Sequence, residues 1–185
     1  SLPNYSQTFG DIVLRSMAFK RSPSYGLSGR NYWAIRGEVE WVGFPNFQLT
    51  DLLVIASTGN IDNNYDHSAN GKWTLSSQTI NDEGHLYDSD GGDGDYLTLT
   101  TPDMNGMGIK FPLGVGQQNQ FRIDKVYAYY GVSSQNDITA QVSYAHAILA
   151  WSPSFSVNSK GAVSFGGVSA QRQVFNGDAF TLYYE

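Results

Sequence analysis

Apolar and polar side chains alternate along most of this chain. In "NYWAIRGEVEWV", Trp33, Ile35, Val39 and Trp41 share one phase, and Arg36, Glu38 and Glu40 share the other. Successive side chains of a strand point to opposite faces, so a period of two predicts a half-buried strand. "FRIDKVYAYY" repeats the pattern, with Phe121, Ile123, Tyr127 and Tyr129 in one phase and Arg122, Asp124, Ala128 and Tyr130 in the other. "ITAQVSYAHA" sets Ile138, Ala140, Val142, Tyr144 and His146 against Thr139, Gln141, Ser143 and Ala145, and "AFTLYYE" sets Phe180, Leu182 and Tyr184 against Thr181 and Tyr183. The continuous run "LLVIA", residues 52–56, predicts a strand buried on both faces. Shorter candidates are "DIVLRSMAF", "KWTLSSQTI", "YLTLT", "MGIKFPL", "SFSV" and "AVSF".

Runs rich in Gly, Asn, Asp and Ser separate these segments, and such residues supply positive φ and local side-chain hydrogen bonds. "GDIVLRSMAFKR" from Gly10 and "GAVSFGGVSAQR" from Gly161 read as two return strands that use the same kind of turn glycine. No segment carries a helical apolar stripe, and no linker interrupts the strands. The pattern predicts an all-β fold: one antiparallel, jelly-roll-like β-sandwich domain over residues 1–185, with roughly a dozen short strands.

Composition narrows the classes of function. A chain of 185 residues with 41% hydrophobic and 15% charged residues has enough apolar material for one proper core. With a net charge of −6 and 11 basic residues it lacks the supply of cations that phosphate neutralisation needs, so nucleic acid is not an expected partner. No apolar run is long enough for a membrane-spanning helix, and no membrane insertion is expected. The absence of Cys removes disulfides, thiolate nucleophiles and Cys-type zinc sites. The opening "SLPNYSQTFGD" shows neither a charged n-region nor an apolar h-region, which gives no sign of a signal peptide.

The densest candidate chemistry is "YDSDGGDGDYLTLT", where Asp88, Asp90, Asp93 and Asp95 stand among glycines. Calcium takes six to eight oxygens, often from closely spaced carboxylates. The register fails the EF-hand pattern, because Asp93 falls where the sharp turn needs Gly and no Glu closes the loop. The segment is one residue short of the β-roll nonapeptide and occurs once. It reads first as an acidic hairpin loop; no cofactor is expected, and calcium is the alternative. A second polar stretch, residues 60–71, holds Asp62, Asn64, Tyr65, Asp66 and His67, a mixture of planar polar groups and an aromatic ring that suits sugar or receptor contact.

Catalytic patterns are weak. No H-E-x-x-H, H-x-H or G-x-S-x-G is present, and His146 reads as a packed core residue. Glu38 and Glu40 share one strand face at a spacing of about 7 Å, but a glycosidase pair must flank a bond, so they read as solvated. The tryptophans fall within strand patterns and read as core. Tyr130 and Tyr183 fall in outward phases, where tyrosine offers amphipathic contact area for a carbohydrate or a subunit.

"FGDIVLRS", "VNSKGAVSF" and the aromatic finish "FTLYYE" resemble small β-rich phage tail-tip and tail-fibre proteins. The resemblance implies a non-enzymatic virion protein of the tail, fibre or capsid surface. Its partners would be copies of itself, other virion proteins and a host-surface glycan. The other reading is a secreted carbohydrate-binding or lectin-like module, supported by calcium.

Overall fold

A computed structural model describes residues 4–22, 29–43, 45–62, 68–75, 82–86, 97–103, 105–115 and 121–184. The strands are β1 (Asn4–Phe9), β2 (Ile12–Arg21), β3 (Asn31–Trp41), β4 (Thr50–Ser57), β5 (Asn60–Ile61), β6 (Ser68–Leu75), β7 (Asp82–Leu86) and β8 (Thr98–Asp103). They continue as β9 (Gly106–Pro112), β10 (Gly114–Val115), β11 (Phe121–Ser134), β12 (Ile138–Ala147), β13 (Phe155–Val157), β14 (Val163–Phe165), β15 (Arg172–Asn176) and β16 (Phe180–Leu182). No helix occurs among the described residues, and none is therefore long and apolar enough to cross a membrane.

Two antiparallel sheets form the sandwich. The larger has the order β1-β2-β3-β11-β6-β7, with β5 and β10 also paired to β11. The smaller has the order β15-β12-β4-β9-β8, with β16 also paired to β12. The phases of β3 and β12 follow the sequence pattern: Ile35, Val39, Trp41, Ile138, Ala140, Val142 and Tyr144 all join the core between the sheets. The edges close on one side, where the Phe9 and Phe175 rings lie 5.7 Å apart and the Asp178 amide donates to Gln7 Oε1 at 2.6 Å. Gly10 and Gly161 both have positive φ, at 60° and 79°, so both return strands do turn on glycine.

Strand β4 is buried on both faces, as its unbroken apolar run requires. Leu53 and Ile55 face the core between the sheets, whereas Leu52, Val54 and Ala56 pack under Phe155 of the β13–β14 hairpin. That hairpin forms a third layer and depends on a glycine in β9. A Cβ on Gly108 would stand 2.4 Å from Phe155 Cε1 and 3.1 Å from Leu52 Cδ1. Gly108→Ala is expected to cost about 1–3 kcal/mol by overpacking. In thermal melts, Phe155→Leu in the same chain should make the loss smaller than the sum of the two single losses, because the residues share one contact.

One phase departs from the sequence reading. Strand β11 carries a β-bulge between Ile123 and Lys125, where Asp124 has no counterpart in β6. An inserted residue shifts the alternation by one. Ile123 is in the core before the bulge; Val126, Ala128, Tyr130 and Val132 are in the core after it. Tyr130, expected on the outward phase, is fully buried. The polar stretch at 60–71 is not all loop, since β5 and β6 take its two ends.

Candidate functional site

The outer face of the large sheet gathers its polar side chains in rows. Cross-strand pairing places Ser6 opposite Arg15 and Arg15 opposite Glu38, while Glu38 stands opposite Tyr127. Neighbouring rows hold Met17 opposite Arg36, and Val13 opposite Glu40 opposite Lys125. Directly opposed side chains in a sheet are close enough to interact, and diagonal neighbours are within reach of long ones.

Glu38 is the centre of this lattice. It is 5% exposed and lies 2.5 Å from Arg15 Nη1, 3.3 Å from Arg36 Nη2 and 3.4 Å from Lys125 Nζ. Arg15 Nη1 also donates to Glu40 Oε1 at 3.0 Å. The carboxylates hold the Arg15 guanidinium in its charged form, with Glu38 the stronger partner. The Arg36 guanidinium carbon lies 4.3 Å from the centroid of the Tyr127 ring, a cation–π contact that fixes the guanidinium. Glu38 is therefore not the solvated residue that its phase suggested. Because one guanidinium bridges both carboxylates on one strand, they do not flank a substrate bond as a glycosidase pair must.

Beside this cluster is a groove of about 370 Å³ lined by Ser6, Arg15, Ser16, Met17, Arg36 and Glu38. The volume lies within the range of about 300–1,000 Å³ usual for small-molecule sites. Arg15 and Arg36 keep side-chain exposures of 40% and 37%, so both charges remain available to a solute.

A second polar cluster lies inside the sandwich. Asp51 is fully buried; it accepts from the Tyr144 hydroxyl, from the Ala147 amide at 2.8 Å and pairs with His146 Nδ1 at 3.0 Å. Trp41 Nε1 donates to the Tyr144 hydroxyl at 2.9 Å, and its ring meets His146 edge-on at 4.8 Å. Burial, helped by the Asp51 charge, pushes the Tyr144 hydroxyl well above its ordinary value and keeps it a donor. An Asp–His pair is the orienting half of a catalytic triad. Here His146 is 3% exposed and Tyr144 is fully buried, so the cluster ties β3, β4 and β12 together and reaches no substrate. His146 is thus the packed residue its phase suggested. Its partner Asp51 left one trace in the sequence, a carboxylate placed directly before an unbroken apolar strand.

The other expected site residues divide three ways. Asp62 is 8% exposed, with Oδ2 2.7 Å from Arg21 Nη2, so its carboxylate links β2 to the end of β5 instead of facing a ligand. Tyr130 donates to Ser57 Oγ at 3.3 Å inside the core, and burial raises its hydroxyl pKa. Tyr183 is exposed at 67% and so does not share a surface with Tyr130. Asn64, Tyr65, Asp66, His67, Asp88, Asp90, Asp93 and Asp95 lie outside the described residues. Among the described residues, no three His, Asp or Glu side chains come together as a metal site. Tyr130→Phe is expected to cost about 1 kcal/mol for the lost hydrogen bond, read by urea unfolding, and to leave any surface binding unchanged.

No family model matches this chain, and neither does any curated protein. Solved structures similar to it include a DUF4466 family protein from Parabacteroides merdae, at 12% identity and TM-score 0.37 over 91% of this chain and 44% of that one. The collagen-binding domain of a Staphylococcus aureus adhesin is similar at 8% identity and TM-score 0.33, covering 84% of this chain and 88% of that one. The pilus backbone protein of Streptococcus pneumoniae is similar at 10% identity and TM-score 0.35, covering 80% and 41%. The chain thus spans less than half the length of the first and third. At these identities and scores the likenesses assign no function.

Proposed function

We propose that this chain is a non-enzymatic recognition component of an extracellular surface or a virion, and that it contacts a glycan through the outer face of its large sheet. The observation that carries this reading is the groove beside Glu38: an accessible concavity on a rigid sheet whose carboxylates are held by cations and not poised for bond cleavage. The setting we propose is a phage tail, fibre or capsid surface, on the resemblance carried by "FGDIVLRS" and "VNSKGAVSF". Self-assembly in that setting draws support from Leu149 and Val168, which stay 55% and 61% exposed at one end of the sandwich. Both lie against Gln171, whose backbone oxygen accepts from the Leu149 amide and whose side-chain oxygen accepts from the Val168 amide. A secreted lectin-like module is the second reading, favoured by the same groove.

A glycan array followed by product analysis tests the proposal. Retention of a glycan with no new reducing ends or mass changes is expected. Turnover of any bound glycan, or no retention across the array, would overturn it. Light scattering then separates the settings, with concentration-dependent oligomers expected of a particle component and a monomer of a secreted module.

A further inference from the structure

Resting on that reading, we infer that the groove on the outer face takes a sugar carrying a carboxylate, such as a uronic or sialic acid, with Arg15 and Arg36 as its anion-binding pair. The protein carries a net charge of −6, yet this patch sets Arg15, Arg36 and Lys125 against Glu38 and Glu40, three cations to two anions. The cluster thus carries one positive charge in excess on an acidic molecule, and local charge of that sign raises the concentration of an anionic solute.

The guanidinium groups are only partly spent. Arg15 gives Nη1 to both carboxylates, and Arg36 gives Nη2 to Glu38; among the described residues neither Arg15 Nη2 nor Arg36 Nη1 has a partner. A guanidinium presents its N–H groups as a planar fork that fits a carboxylate. The contact of Arg36 with Tyr127 and the grip of Glu38 hold both forks in place before a ligand arrives, which lowers the ordering cost of binding.

The remaining lining accounts for a sugar rather than a bare acid. A carboxylate offers about four acceptor positions, and three cations engage Glu38, which leaves room for one ligand hydroxyl. Ser6 is exposed and adds a hydroxyl that donates or accepts, and Met17 supplies an apolar wall for the C–H face of a sugar ring. An acidic peptide side chain would satisfy the arginines and leave the Glu38 acceptor and the Ser6 hydroxyl unused.

Calorimetry with sialyllactose, a hyaluronate oligosaccharide and a galacturonate oligosaccharide, against lactose and a cello-oligosaccharide, tests the inference. At least one acidic sugar is expected to bind, at least tenfold more tightly than either neutral one. Arg36→Gln should weaken that binding at least tenfold while the far-ultraviolet spectrum and melting temperature show an intact fold. Wild-type affinity should also fall as salt rises, a readout that needs no variant. Equal binding of neutral and acidic sugars, or an affinity indifferent to both salt and Arg36→Gln, would overturn the carboxylate assignment and leave glycan recognition standing. No binding by any sugar here, with none on the array, would remove both.

Discussion

Asp51→Ala should cost about 3–5 kcal/mol of folding stability, because several buried groups lose their partner at once, at about 1–3 kcal/mol each. The Asp51 carboxylate is fully buried and receives the Tyr144 hydroxyl, the Ala147 amide and His146 Nδ1. Truncation strands all of these groups away from water, and each unsatisfied buried group carries its own desolvation penalty. Tyr144→Phe removes one of them and should cost about 1–3 kcal/mol. Urea unfolding followed by tryptophan fluorescence reads both variants, since Trp41 belongs to the same network.

The cluster also predicts a pH dependence. Burial pushes the Asp51 carboxyl above its ordinary value of 3.8, against the pull of His146, Tyr144 and the Ala147 amide. Over the interval between the ordinary and the folded pKa, the folded protein holds a proton that the unfolded chain has released. The stability from this linkage is complete below the ordinary value and is lost as pH rises through the folded pKa. Asp51→Asn does not titrate, so the stability gap between wild type and that variant is expected to be wider near pH 4 than near pH 8. A gap that widens with rising pH would contradict the assignment.

Gly37→Ala is the second substitution with a large expected effect. Gly37 lies near the middle of β3 and faces Ile55 and Val142 of the smaller sheet. A Cβ there would stand 2.7 Å from Ile55 Cγ1, 3.0 Å from Ile55 Cδ1 and 3.0 Å from Val142 Cγ2. Alanine in a strand ordinarily gains roughly 0.5–1 kcal/mol over glycine in backbone entropy. Overpacking a closed core costs about 1–3 kcal/mol and outweighs that gain, because Ile55 is fully buried and has no solvent to move into. The net loss should appear as a lower urea midpoint at unchanged slope. Ile55→Val removes the Cδ1 contact, so the double variant should lose less than the sum of the singles.

Much of this fold is written in local alternation. The phases of β3 and β12, the double burial of β4 and the turns at Gly10 and Gly161 all follow from side-chain period and backbone preference. What the alternation hides is set by contacts distant in sequence. The bulge at Asp124 inserts one residue and inverts the phase of everything beyond it, which is why Tyr130 reads as exposed and is core. β15, "RQVFN", has little apolar signal and is a strand because it pairs with β12. Glu38 reads as solvated because its neighbours in sequence are ordinary; Arg15 and Lys125, which enclose it, come from other strands. The groove has no linear motif for the same reason, since its lining comes from β1, β2 and β3.

Blocking the groove distinguishes recognition at this face from recognition elsewhere on the molecule. Ser6 lies on the outward row of β1, opposite Arg15, and Ser6→Trp would fill the groove while leaving every charged and core residue in place. With the glycan that wild-type protein retains best on an array, Ser6→Trp is expected to lose binding at least tenfold while melting at the wild-type temperature. Unchanged binding by a folded Ser6→Trp protein would contradict the assignment of recognition to this face.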